Sequence, residues 1–96
     1  MEKICEVNGI SMKKEIDEFG NIFYYNENNK LHREDGPAIE YVDGDKWWYK
    51  NEKLHREDGP AMEYDGYKEY WYNDIYYPEI KTDEEWVRIV KLMVFL

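Results

Sequence analysis

Cysteine and long apolar runs are scarce in this chain of 96 residues. A single cysteine, Cys5, excludes an internal disulfide, so the chain is not a small secreted scaffold held together by disulfides. The most apolar stretch, residues 89–96, is interrupted by Lys91 and is far shorter than the roughly 20 residues of a membrane-spanning helix. The first residues lack the apolar core of a signal peptide. We therefore expect a cytoplasmic protein.

Basic residues are also few in relation to acidic ones. Lys and Arg total 13 against 22 Asp and Glu, which leaves a formal net charge of −9. Binding to nucleic-acid phosphates depends on Lys and Arg, and anionic membrane surfaces repel acidic proteins. We therefore expect no direct binding to nucleic acid and none to membranes. Because the acidic surplus is spread along the chain, a protein with a basic surface is the partner that it would attract.

Aromatic residues, in contrast, are abundant and make up 18% of the chain. The mean hydropathy of −0.95 would by itself suit a disordered chain. Four Trp, ten Tyr and three Phe, however, provide a large surface that can be buried. We expect one folded domain, residues 1–96, with an aromatic core.

An internal repeat organises the chain. Lys30 to Tyr41 reads KLHREDGPAIEY and Lys53 to Tyr64 reads KLHREDGPAMEY, so eleven of these twelve positions match at an offset of 23. The similarity continues beyond this string at an offset of 22, and a degenerate earlier copy begins at Phe19. Two nearly complete units and two degenerate flanks therefore cover residues 19–77.

Each unit predicts a β-hairpin followed by a loop of fixed sequence. Short strand-like runs lead into Asp-Gly pairs at 43–44 and 65–66, which are strong hairpin signals. An aromatic run follows each pair. A single hairpin is marginal in water, so neighbouring units must share one sheet. We predict a mainly β fold, in which antiparallel β-hairpin repeats form a single elongated sheet that a C-terminal α-helix caps.

The flanks of the repeats are interpreted as caps. Residues 1–18 predict an N-terminal β cap whose hairpin turn is Asn8-Gly9. Residues 82–96 predict the C-terminal helix, because Thr82 and Glu85 have the spacing of a capping box. Apolar residues then recur at helical spacing and predict one buried face: Trp86, Ile89, Val90, Met93 and Leu96.

The repeat resembles the MORN repeat, and most closely the divergent LHREDGPA-type form of small phage and giant-virus proteins. The resemblance rests on the LHREDGPA string at residues 31–38 and 54–61, and it covers residues 19–77, roughly 60% of the chain. The His-Gly-x-Gly of ordinary MORN repeats is replaced here by His-Arg-Glu-Asp-Gly-Pro. The resemblance implies a single-layer antiparallel β-repeat fold and an association with viral or bacterial conflict genes. It supplies no catalytic residues. For a phage-encoded protein, the expected compartment is the host cell cytoplasm.

Two His-Arg-Glu-Asp sets, at residues 32–35 and 55–58, are the candidates for metal binding or catalysis. A histidine near carboxylates could bind a divalent metal or act in acid–base catalysis. Adjacent residues on an extended segment point to opposite sides, however, and an identical loop in consecutive units is what stacking requires. We therefore favour a structural role and expect no catalytic residue, metal or cofactor. The alternative is ligand binding by the first two residues of each set: His32, Arg33, His55 and Arg56.

The aromatic runs predict a surface as well as a core. Alternate positions of a strand face opposite sides, so part of each run should be buried and part exposed. An exposed stripe of Trp and Tyr beside carboxylates is a good protein-binding surface. The candidate partner-binding residues are Tyr25, Trp47, Trp48, Tyr49, Tyr70, Trp71, Tyr72, Asp43, Asp45 and Asp65.

These features favour a non-enzymatic protein-interaction module. We expect a small phage-type anti-defence inhibitor that blocks or sequesters a host protein, such as a defence or nucleic-acid-binding protein with a basic surface. One alternative is a sponge for a signalling nucleotide, in which aromatic faces stack bases and the loop His and Arg contact phosphates. Another is a structural or scaffold repeat protein. No nucleophile elbow, phosphate loop or spaced metal-ligand set indicates an enzyme. The sequence is also compatible with self-association into a homo-oligomer.

Overall fold

A computed structural model describes the backbone of residues 2–7 and 10–94 and the side chains of residues 12–94. These residues form eleven strands and then one helix, α1 (Asp83–Val94). The predicted Asn8-Gly9 turn and Leu96 lie outside the described residues. The strands are β1 (Glu2–Val7), β2 (Ile10–Ile16), β3 (Ile22–Tyr25), β4 (Ile39–Glu40), β5 (Lys46–Trp47), β6 (Tyr49–Lys50), β7 (Lys53–Leu54), β8 (Met62–Tyr64), β9 (Tyr67–Glu69), β10 (Trp71–Tyr72) and β11 (Ile75–Tyr76).

Seven of these strands form one antiparallel sheet in the order β1-β2-β3-β4-β5-β8-β9. The pairs β6-β7 and β10-β11 form two separate two-stranded ribbons. The molecule is elongated, with extents of 39 × 31 × 18 Å. The prediction of a mainly antiparallel β fold with a C-terminal helix is confirmed.

The aromatic strand of each unit is divided between the main sheet and a side ribbon. The division falls at Trp48, whose N–H donates to the Ala61 carbonyl at 2.7 Å and whose carbonyl accepts from the His55 N–H at 3.1 Å. Tyr24 makes the corresponding two bonds in the preceding unit. Residues before Trp48 therefore pair with the following strand of the main sheet, while residues after it pair within the ribbon. In β3, by contrast, Tyr25 follows Tyr24 and still pairs with Lys13 of β2.

The two Asp-Gly turns differ by one residue. Asp65 and Gly66 both have positive φ, 50° and 78°, as a two-residue type I′ turn requires. At the earlier turn the Tyr41 N–H donates to the Asp45 carbonyl across three residues, of which Gly44 has a φ of 100°. The repeat offset falls from 23 to 22 here because the second turn is one residue shorter.

Helix α1 closes the end of the array. The capping box is confirmed, because the Glu85 N–H donates to Thr82 Oγ1 and the Thr82 N–H donates to a Glu85 carboxylate oxygen, both at 3.2 Å. The predicted apolar face is confirmed as far as Met93. It packs against Tyr70 and Ile80 and forms a core in which the following helix residues take part: Trp86, Ile89, Val90 and Met93.

Tyr70 makes the stability of this core sensitive to alkaline pH. Its side chain is 2% exposed, and its hydroxyl donates to Asp83 Oδ1 at 2.7 Å. Burial, followed by the bond to the Asp83 carboxylate, raises the pKa of Tyr70 well above its ordinary value. Because the folded pKa is raised, the stabilisation is complete below the unfolded pKa of about 10 and is lost as pH rises above it.

We therefore expect the Tm of the native chain to fall more between about pH 9 and pH 11 than the Tm of Tyr70→Phe, whose phenyl ring cannot ionise. Thermal unfolding followed by circular dichroism measures this difference. Tyr67→Phe is the control, since Tyr67 is 67% exposed and its replacement should leave the native pH profile unchanged. Equal falls for the native chain and Tyr70→Phe would contradict the prediction.

Candidate functional site

The register of the main sheet divides its side chains between two faces. Residues that lie directly opposite one another on paired strands share a face. One row consists of Phe23, Ile39, Trp47, Met62 and Glu69. The neighbouring row, on the other side, consists of Ile22, Glu40, Lys46, Glu63 and Lys68. We call the side of Trp47 the aromatic face and the side of Lys46 the charged face.

A chain of ring contacts runs along the aromatic face. Tyr41 lies edge-on to Phe23 and Trp47, with ring centroids 6.4 and 5.6 Å away. Trp47 in turn contacts Tyr49 at 6.5 Å. These four rings are half-buried, because they partly cover one another. Their mutual packing holds the rings in fixed orientations.

The aromatic face continues into the last unit. Tyr64 and Tyr67 flank the type I′ turn and their ring centroids are 6.0 Å apart. Trp71 stacks on Tyr76 at 5.1 Å with an interplanar angle of 24°. Tyr67 is 67% exposed and Tyr76 is 44% exposed, so this end of the face is open to solvent.

Carboxylates accompany the rings. Burial is the largest cause that raises the pKa values of three tyrosines, and nearby negative charge adds to it. Glu15 acts in this way on Tyr25, and Asp45 acts on Tyr41. Burial and these carboxylates therefore both oppose ionisation of the Tyr25 and Tyr41 hydroxyls.

Most strand lysines lie on the charged face. In the main sheet, Lys46 and Lys68 occupy strand positions that alternate with the aromatic ones. In the ribbon, Lys50 follows Tyr49 and lies opposite Lys53, so these two lysines also point to the charged face. Lys13 differs, since its ammonium lies 5.3 Å from the centre of the Tyr25 ring. From β3 to β10, therefore, the strand lysines and the strand carboxylates Glu40 and Glu63 lie on the charged face, while the aromatic face carries rings and one strand carboxylate, Glu69.

On the charged face, the arginines of the HREDGP loops stack on aromatic rings. The Arg56 guanidinium lies 4.0 Å from the centre of the Trp48 ring and donates to Asp58 at 2.9 Å. Arg33 has the same arrangement over Tyr24, at 4.1 Å. A Cβ on Gly59 would lie 2.8 Å from the central carbon of the Arg56 guanidinium, so the loop glycine makes room for the stacked arginine.

The histidines of these loops link consecutive units. His32 and His55 are buried, and their Nδ1 atoms accept from the backbone N–H groups of Asn51 and Asn73 at 3.0 and 3.1 Å. The other ring nitrogen of His55 contacts Glu57 at 2.9 Å, and His32 contacts the equivalent carboxylate. A neutral imidazole with its proton on Nε2 satisfies both contacts. Each histidine thus joins its loop to the next hairpin.

Residues near the C-terminus replace the loop after the last hairpin. The Tyr77 N–H donates to the Tyr70 carbonyl, as the loop histidines do to Tyr24 and Trp48. Trp86 lies against Tyr70 at 5.6 Å, where the preceding units place an arginine against the aromatic ring. Its Nε1 also donates to the Arg56 carbonyl at 2.7 Å. Helix α1 therefore substitutes for the next repeat unit.

The aromatic residues chosen as partner-binding candidates are divided between the two faces. Trp48, Tyr70 and Tyr72 do not belong to the aromatic face. Trp48 lies beneath Arg56, and Tyr70 and Tyr72 contact the helix core, so α1 covers the end of the sheet on that side. The aromatic face contains the other four: Tyr25, Trp47, Tyr49 and Trp71. The acidic candidates lie in or beside the turns that join β4 to β5 and β8 to β9: Asp43, Asp45 and Asp65.

Sequence reasoning missed several members of the aromatic face. Tyr64 and Tyr67 could have been found from the Asp-Gly turn, because residues that flank a two-residue hairpin turn are direct cross-strand partners. Alternation along the strand could have placed Tyr41 beside Ile39. No local signal marked Glu69 and Tyr76, since their positions depend on the register of β9 and on the β10-β11 ribbon.

The alternative ligand site lies between the two HREDGP loops. A cleft of about 590 Å³ there contains Arg33 and Arg56 together with four loop carboxylates: Glu34, Asp35, Glu57 and Asp58. Both arginines are already paired and stacked, and the carboxylates would repel nucleotide phosphates. Within residues 12–94, no group of three or more His, Cys, Asp or Glu could hold a metal ion.

Comparisons of the chain with protein-family models, curated proteins and solved structures found no match. None of the described residues forms a helix with the length and apolar character needed to cross a membrane.

Proposed function

We propose that the protein is a non-enzymatic interaction module that binds a basic protein surface through its aromatic face. The separation of the exposed rings from the strand lysines carries this proposal. Trp and Tyr rings provide large contact areas, while carboxylates on the same side attract and orient a basic partner. The finer role, a phage-type anti-defence inhibitor that blocks or sequesters a host protein, draws on the resemblance of the repeats.

The packing of the aromatic face favours binding because the face is formed before the partner arrives. Trp47 contacts both Tyr41 and Tyr49, and buried histidines bond successive units together. Side chains that already hold one orientation lose little conformational entropy on binding. The nucleotide-sponge alternative has less support, since the arginines that it requires are engaged in pairs on the charged face.

Neighbouring residues on two strands provide matched variants to test the proposal. Tyr49 and Tyr67 belong to the aromatic face, whereas Lys50 and Lys68 follow them in the chain and point to the charged face. We would capture partners from bacterial lysate with the native chain and identify them. Binding of each purified partner to the native chain and to the two double variants would then be measured by calorimetry.

We expect a basic partner whose affinity falls at least about tenfold for Tyr49→Ser/Tyr67→Ser, because two contact rings are lost. The Lys50→Ser/Lys68→Ser variant should bind the partner with native or slightly higher affinity. Added salt should weaken the binding of the partner to both double variants. Capture of no basic protein would refute the proposed function. A partner that tolerates the tyrosine changes but not the lysine changes would move the binding surface to the charged face.

A further inference from the structure

Glu69 occupies an unusual position in the aromatic face. The register places it in the row that contains Trp47 and Phe23 in the preceding units. The last unit thus presents a carboxylate where the others present an aromatic ring. Its two oxygens accept separate bonds, from the Tyr64 hydroxyl at 2.5 Å and from Trp71 Nε1 at 3.0 Å.

Aromatic rings surround this carboxylate. Tyr64 is paired with Tyr67, and Trp71 is stacked on Tyr76, so two ring pairs border Glu69 from the turn side and from the ribbon side. The bond to Glu69, followed by burial, raises the pKa of the Tyr64 hydroxyl. We call these five residues the Glu69 pocket: Tyr64, Tyr67, Glu69, Trp71 and Tyr76.

The Glu69 pocket holds a negative charge that lacks an internal counter-ion. Among residues 12–94, no lysine or arginine forms an ion pair with Glu69, whereas Glu63 on the adjacent strand pairs with Arg56 on the charged face. Lys68 precedes Glu69 but points to that opposite face. Both bonds to Glu69 come from neutral donors, so neither bond neutralises its charge.

A carboxylate bordered by aromatic rings has the chemistry of a cation site. Ring faces attract cations within about 6 Å of their centres, and each carboxylate oxygen can accept more than one bond. We infer that the Glu69 pocket receives an arginine or lysine side chain of the basic partner. This inference rests on the proposed function and names the contact by which the partner is recognised.

The isolated pocket can be tested with a single side chain as the probe. We would titrate the native chain with N-acetyl-arginine amide and follow the indole N–H signal of Trp71 by NMR. The signal is assigned by its loss in Trp71→Phe. The uncharged isostere N-acetyl-citrulline amide is the matched probe. We expect the arginine probe, at millimolar concentrations typical of single side-chain contacts, to shift the signal. The citrulline probe should not shift it.

Variants of the pocket and of a distant carboxylate complete the experiment. Glu69→Gln should weaken binding of the arginine probe at least about fivefold, because it removes the charge. Glu18→Gln, in an exposed turn far along the sheet, should leave binding unchanged.

Tyr76→Leu leaves both bonds to Glu69 intact and provides a second test if Glu69→Gln lowers stability. This change should also weaken binding, since Tyr76 forms one wall of the pocket. Equal shifts with both probes, or native affinity in Glu69→Gln and Tyr76→Leu, would overturn the inference.

The outcomes separate this inference from the proposed function. If a captured partner requires Tyr49 and Tyr67 but binds Glu69→Gln with native affinity, the function stands and the pocket inference fails. If the arginine probe binds at Glu69 but no basic protein is captured, the pocket stands as a cation site and the proposed function fails.

Discussion

Replacing Trp86 with alanine is expected to lower the free energy of unfolding by about 3–5 kcal/mol, which is typical of a buried tryptophan. The Trp86 side chain is fully buried between Tyr70 and Tyr77, with ring centroids at 5.6 and 5.2 Å. It also donates the bond that satisfies the Arg56 carbonyl. The alanine variant would leave a cavity and an unpaired carbonyl at the point where α1 joins the repeats. Chemical denaturation followed by circular dichroism measures the change.

Two further variants of α1 show whether Trp86 acts as the cap. Leu92→Ala removes an apolar side chain from the same helix, but Leu92 is 61% exposed, so the change should stay within about 0.5 kcal/mol of the native stability. Trp86→Phe keeps a ring against Tyr70 and loses the bond to Arg56, and its effect should be intermediate. If Trp86→Ala cost no more than Leu92→Ala, the assignment of α1 as the substitute for a further repeat would be wrong.

His55→Ala is expected to produce the second largest loss, about 2–4 kcal/mol, since it removes buried packing together with hydrogen bonds. His55 is 5% exposed, its Nδ1 accepts from the Asn73 N–H, and its ring packs at 4.4 Å from that of Tyr72. Without the imidazole, the second loop loses one of the hydrogen bonds that join it to the last hairpin, and the bond from the Arg56 N–H to the Trp71 carbonyl remains. Urea denaturation at neutral pH measures the loss.

Replacement by asparagine separates the hydrogen bond from the packing. An asparagine oxygen can take the place of Nδ1, so His55→Asn should retain part of the link to Asn73 and should cost less than His55→Ala. His32→Ala tests the same link one unit earlier, where the bond to Asn51 has nearly the same length. A His55→Ala variant as stable as the native chain would contradict the structural role of the loop histidine.

Local features of the fold were predictable because they depend on residues close in sequence. The Asp-Gly pairs specify tight turns through their tolerance of positive φ, and the capping box joins Thr82 to a residue three positions later. The aromatic runs specified strands, and alternation indicated that each run would be shared between two faces. It did not indicate that the backbone would leave the main sheet at Trp48, which depends on bonds to Ala61 and His55.

The candidate site was predictable only in part for the same reason. Trp47, Tyr49 and Trp71 were recognised as surface candidates, but so was Tyr70, which is buried because α1 returns to cover it. Glu69 was overlooked, since a glutamate in a strand has no local property that distinguishes a cation pocket from a solvated surface. Its environment is created by Tyr64 across the hairpin and by Trp71 beyond the division of the strand.

The sequence by itself determined the repeat, its hairpins, the loop residues that each unit reuses and the start of the terminal helix. These follow from backbone preferences and side-chain periods that act over a few residues. The tertiary structure alone decided which face collects the rings, which arginines are occupied, and that Trp86 replaces an arginine at the end of the array. Those outcomes depend on strand register and on contacts such as that between Trp86 and Arg56, 30 residues apart. Such contacts form only when the sheet is complete, because a shift of one residue would move every side chain to the opposite face.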